Sequence, residues 1–189
     1  MFALQAGDLV LVKGKGWLSG AIRWCTQARG ESKSRVSHGG LGTRPNFITE
    51  ALHKVVGRDF TKSYRGATFT VYRPMTIPPA DIAAICAEME SRIGEGYAYA
   101  EIGLQAADGL LSKVLGGDVY LFRRLGKLRR QTICTPHIAI VFSSRGYDFG
   151  KPPGAATPDD LDDYCRSHPD KYAVAWPEDG GTDPTKWPG

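Results

Sequence analysis

Aliphatic residues dominate Gly7-Asp8-Leu9-Val10-Leu11-Val12-Lys13. A run with no polar alternation predicts a strand over 7–13 that is buried on both faces. Beyond Gly14 and Gly16, Leu18, Ile22 and Cys25 recur at helical spacing, which predicts a helix over 17–28 with Cys25 in the core. A polar loop over 29–35 leads to Val36-Ser37-His38-Gly39-Gly40-Leu41-Gly42, a short strand whose glycines let something pass close to the backbone. Phe47-Ile48-Thr49-Glu50-Ala51-Leu52 is its expected partner, and Thr43-Arg44-Pro45-Asn46 has the composition of a hairpin turn. A third strand, rich in β-formers, is predicted over 68–73 and ends at Pro74.

Helical stripes follow. Pro78 and Pro79 open a helix that runs to about Ile93 through Ile82, Ile85 and Met89, with Cys86 beside the stripe and Gly94 closing it. Ile102, Ala106, Leu110 and Val114 predict a helix over 100–115. Ile138, Val141 and Phe142 mark another that starts at Cys134 and stops before Gly146. The Pro/Gly-rich 151–154 reads as a linker. Thr157 caps a short helix with Pro158 at its first position and Asp159 and Asp160 in its first turn. A last strand is predicted over 171–176 and a flexible tail over 177–189. The sum is an α+β fold, an antiparallel sheet packed against a helix that carries a cysteine, in one domain over 1–176.

Composition narrows the function classes. With 42% hydrophobic and 23% charged residues, the 189-residue chain has the make-up of an ordinary globular protein. No apolar run approaches the ~20 residues of a membrane helix, and residues 1–7 lack a signal-peptide pattern. These features predict a cytoplasmic location. The four cysteines, at 25, 86, 134 and 165, form no CxxC pair, which predicts reduced thiols. The net charge of +4 is uneven, because Arg123, Arg124, Lys127, Arg129 and Arg130 cluster among Leu121, Phe122, Leu125 and Leu128. Such a cluster suits an anionic membrane surface or simple solvation. No specific nucleic-acid recognition is expected. Gly39-Gly40-Leu41-Gly42 lies between strands rather than ahead of a helix, so it is no phosphate cradle, and no cofactor is expected.

The chemistry centres on Cys134. Pro136 fits a first helical turn, which puts Cys134 at the helix N-terminus. Exposed N–H groups and the macrodipole favour a thiolate there. A cysteine nucleophile needs a base and a group to orient that base. Of the four histidines, His168 lies in a polar turn and is expected to face solvent. His137 shares the cysteine's helix, where side chains lean the same way, and a Cys134/His137 zinc site would lack two ligands. His53 should face away from Glu50 by strand alternation. His38 sits in a glycine-lined strand, and the hairpin brings Glu50 within cross-strand reach if the register sets the two opposite one another. Cys134 as nucleophile, His38 as base and Glu50 as orienter is the resulting constellation. Each also has a plain structural role open to it: a core thiol, a buried strand histidine and a surface carboxylate on an edge strand.

The order of these parts resembles a known family. Gly7-Asp8-Leu9-Val10, Ser37-His38-Gly39-Gly40, Ile48-Thr49-Glu50-Ala51, Gly94-Glu95-Gly96-Tyr97 and Ile133-Cys134-Thr135 are similar to the circularly permuted NlpC-type branch of the papain-like cysteine peptidases. The resemblance covers roughly residues 7–176. It implies a permuted papain-like fold and a cysteine peptidase or amidase that cleaves an amide bond in peptidoglycan-like peptides. A bacterial or phage setting would fit the resemblance, and no metal is expected. Cys134, His38 and Glu50 match the family's triad and Tyr97 a pocket-lining tyrosine, and Gly39 is expected in the same substrate pocket. Thr135-Pro136 stands where the family commonly has Ser-Glu. Two other readings remain open: a lipid acyltransferase or thioesterase like the lecithin:retinol acyltransferase-like proteins, and a non-catalytic module that binds through its basic cluster.

Overall fold

The computed structural model describes residues 2–13, 36–51, 54–96 and 134–176. The strands are β1 (Leu9–Lys13), β2 (His38–Arg44), β3 (Phe47–Ala51), β4 (Val55–Asp59), β5 (Thr68–Pro74) and β6 (Tyr172–Trp176). The helices are α1 (Phe60–Ser63), α2 (Pro79–Ser91), α3 (Cys134–Ser143) and α4 (Pro158–Ser167), with a 3-10 turn at Pro153–Ala155. The class is α+β. All strand pairings are antiparallel in the order β4-β3-β2-β1-β5-β6. β1 is central, which accounts for its unbroken aliphatic run.

The two faces of the sheet bury different sets of residues. Leu9, Leu11, Leu41 and Tyr72 point to the face covered by Ile85 and Met89 of α2, Ile138, Val141 and Phe142 of α3, and Leu161 and Cys165 of α4. Val10, Val12, Ile48, Phe69 and Val71 point to the other face, where they meet Phe60 and Tyr64. Phe60 stacks on Tyr64 at 5.4 Å between ring centroids, and Phe69 meets Tyr64 edge-on at 6.1 Å.

Several elements differ from the sequence reading. β4 and α1 lie where no element is predicted, because Gly57-Arg58-Asp59 has no strand propensity and α1 has only four residues. Asp59 starts α1 by accepting the Lys62 N–H at 2.9 Å. The hairpin turn is tighter than Thr43–Asn46, since β2 continues to Arg44 through a bulge and Asn46 takes the left-handed φ of 53°. Ile93 is exposed, because α2 ends at Ser91 before that turn of the stripe reaches the core. The expected linker at 151–154 runs into the 3-10 turn, and Ala156 just beyond it is buried and bonded to the start of α3. The expected helices over 17–28 and 100–115 and the tail over 177–189 lie outside the described residues. Among the described residues, no helix is long and apolar enough to cross a membrane.

Candidate active site

The hairpin β2–β3 brings His38 and Glu50 together. Gly40, not His38, stands opposite Glu50, so the imidazole reaches the carboxylate diagonally across the glycine. The bulge between Gly42 and Arg44 helps to set this register. Gly40 also makes the reach feasible: a Cβ there would meet Ile48 Cδ1 at 2.6 Å and Glu50 Cβ at 3.3 Å. His38 Nε2 donates to Glu50 Oε2 at 2.5 Å.

Glu50 is buried, and β4 covers its strand on the outer side, so it is not a surface carboxylate on an edge. It accepts from more than His38. The Tyr64 hydroxyl donates to Oε2, and the Arg58 guanidinium forms an ion pair with the carboxylate, Nε lying 3.0 Å from Oε1. Burial pushes the Glu50 carboxyl up. The hydrogen bond and charge of His38, the Tyr64 hydroxyl and the Arg58 guanidinium together outweigh this and hold it below the usual carboxylate range. Glu50 is therefore ionised at neutral pH and can stabilise an imidazolium. His38 keeps 20% of its side chain exposed, enough to exchange a proton with something outside the core.

Sequence reasoning missed Arg58 and Tyr64. Arg58 lies two residues along β4 from Val56, the residue opposite Glu50. Tyr64 directly follows α1. The one local signal was Asp59, a helix-capping residue type that fixes where the chain turns back toward Glu50.

Cys134 is the first residue of α3, and its side chain lies outside the described residues. The helix start is fixed through Thr135, which is buried and donates to the Ala156 carbonyl at 2.9 Å. A Cβ on Gly39 would stand 2.9 Å from Thr135 Cγ2 and 3.5 Å from Ile138 Cδ1. The space before Gly39 is thus filled by α3. Gly39 adjoins His38, and Thr135 adjoins Cys134, so the helix begins alongside the first residue of β2. Antiparallel partners share a face, and His38 pairs with Val12 while Gly39 pairs with Leu11. The His38 ring therefore belongs to the sheet face opposite α3, at the strand's very start.

The remaining histidines and thiols divide clearly. His137 is fully buried on α3, and burial, with the Arg92 charge adding to it, holds its pKa down to about 4. It is neutral near pH 7 and sealed from solvent. His168 is half-buried rather than exposed, because it stacks on Tyr164 at 4.0 Å and its Nδ1 donates to the Tyr164 carbonyl at 2.8 Å. Burial pushes the Cys86 thiol up to about 11 and raises that of Cys165 as well, which makes both poor nucleophiles. Tyr97, His53 and the cluster of Arg123, Arg124, Lys127, Arg129 and Arg130 lie outside the described residues. Among the described residues, no group of three or more His, Cys, Asp or Glu side chains is placed to hold a metal ion. No protein-family model matches the chain, and no curated protein matches it.

Proposed function

We propose that the chain is a thiol hydrolase in which Cys134 is the nucleophile, His38 the general base and acid, and Glu50 the group that orients the imidazole. The observation supporting this is the 2.5 Å contact of His38 Nε2 with a buried, ionised Glu50, beside the strand start where the Cys134 helix begins. Because α3 packs on the other face of β2, the reading requires thiol and imidazole to meet around the first residue of that strand. The fold that goes with this reading is the permuted papain-like one, with the histidine strand ahead of the cysteine helix.

Nε2 is committed to Glu50, so proton traffic runs through Nδ1. The Cys134 thiol gives its proton to Nδ1, and the sulfur attacks an amide carbonyl carbon. The carbonyl π electrons move to oxygen, where the N–H groups at the helix start stabilise the oxyanion. Collapse breaks the C–N bond, and the leaving amine takes the proton from Nδ1. Water then attacks the thioester, losing a proton to His38. Acid is released and the thiol re-forms with that proton. By the family resemblance, the substrate is a peptide amide in peptidoglycan-like peptides.

Site-resolved iodoacetamide labelling from pH ~5 to 9, read by peptide mass spectrometry, tests the reading. Cys134 is expected to react fastest and well below the ordinary thiol pKa of about 8.5, and His38→Ala should remove that advantage. Cys134→Ser should abolish turnover of peptidoglycan peptides. A Cys134 that labels no faster than a free thiol would refute the enzyme.

A further inference from the structure

We infer that Arg58 and Tyr64 are positioning residues that hold Glu50 as a carboxylate on their own account, so that His38 can change its protonation state. The inference rests on the assignment of His38 as the base. Its basis is the division of partners over the two carboxylate oxygens, an ion pair on one and two hydrogen bonds on the other. Arg58 Nε takes Oε1 at 3.0 Å, while the Tyr64 hydroxyl shares Oε2 with His38 Nε2. A buried carboxylate persists only when it is paired and hydrogen-bonded. Were His38 its single cationic partner, an ionised Glu50 would favour the imidazolium more strongly. The imidazole would then give up its proton less readily. A guanidinium keeps its charge where an imidazole loses one, so Glu50 stays compensated when the imidazole is neutral.

Both partners are placed by the fold. Arg58 is fixed in β4, diagonal to Glu50 across the ladder, and its side chain remains 37% exposed. Tyr64 is held by its ring between Phe60 and Phe69, which aims the hydroxyl at the carboxylate. Among the described residues, the ionisable groups paired with Glu50 are His38 from β2, Arg58 from β4 and Tyr64 from the segment after α1.

NMR titration of the His38 imidazole in the full chain tests this. Removing a nearby positive charge favours the imidazolium, so Arg58→Gln should raise the His38 pKa by roughly one unit. Arg58→Lys keeps the charge and should hold the value close to that of the wild type. Tyr64→Phe leaves the ring packing in place and withdraws one donor, which makes Glu50 a stronger acceptor. It should raise the pKa by less, and it carries the test if Arg58→Gln does not fold. A His38 pKa that falls or stays fixed in Tyr64→Phe, or in a folded Arg58→Gln, overturns the inference. So does an Arg58→Lys value raised as far as that of Arg58→Gln. The titration needs no substrate, so an inert Cys134 would remove the hydrolase and leave this result standing. An unmoved His38 would remove only the role given to Arg58 and Tyr64.

Discussion

Replacing Gly39 by alanine puts a methyl group into the seam between β2 and α3. Its Cβ would stand 2.9 Å from Thr135 Cγ2, 3.2 Å from Leu11 Cδ2 and 3.5 Å from Ile138 Cδ1. Non-bonded carbons prefer about 3.5–4.0 Å, so the first contact must open by more than half an ångström. Thr135 is buried and its hydroxyl is bonded to the Ala156 carbonyl, so it cannot turn away without losing that bond, a net loss of about 1 kcal/mol. The alternative is to lift the start of α3 off the strand. Overpacking of this kind costs about 1–3 kcal/mol, against about 0.4–1 kcal/mol gained by stiffening the unfolded chain. The balance is a loss of about 1–2 kcal/mol, or a fall in Tm of roughly 2–8 °C for a chain of this size. Calorimetry would measure it, with Gly154→Ala as the control because a Cβ there meets nothing within 4 Å. Cys134 labelling in the same variant should slow as the helix start moves. A Gly39→Ala protein as stable as the wild type would refute the close seating of α3 on β2.

Two further outcomes are expected. His137 is held down to about 4 in the folded chain, against the usual 6.5, so the unfolded chain binds a proton the folded one refuses. Stability should therefore fall as pH drops from 6.5 to 4, by about 3 kcal/mol for this group. His137→Leu should lose that dependence when urea midpoints at pH ~7 and ~4.5 are compared, and equal slopes in both proteins would refute it. Thr157 closes a capping box with Asp160 at the start of α4. Thr157→Ala should cost about 1 kcal/mol, Thr157→Ser should cost little, and an unchanged urea midpoint in the alanine variant would mean that the cap contributes nothing.

β1 was legible from its unbroken aliphatic run and β5 from its density of β-formers. β4 was not, because Val55 and Val56 are its only β-formers and its place comes from pairing with β3. The 3-10 turn has loop composition, and its packing depends on a threonine about twenty residues upstream. The same division runs through the candidate site. The contact of His38 with Glu50 was legible, since a short hairpin leaves few registers. Arg58 and Tyr64 were not, since nothing in their own segments points at Glu50. Their role follows from where β4 and α1 fold back.

The strand order bears on how the molecule assembles. His38, Glu50, Arg58 and Tyr64 fall within a short stretch of chain and belong to one meander with its following helix, so their contacts close small loops. Pro74, by contrast, pairs with Tyr172, about a hundred residues further along. All of α2, α3 and α4 lie inside that excursion. Closing it carries the larger entropic cost and is expected to come late. The acid–base half of the candidate site would then be complete before the cysteine helix is clamped over β2. If Cys134 and His38 act as proposed, the thiol would join its base only in a fully folded chain, and a nascent chain would carry no working nucleophile.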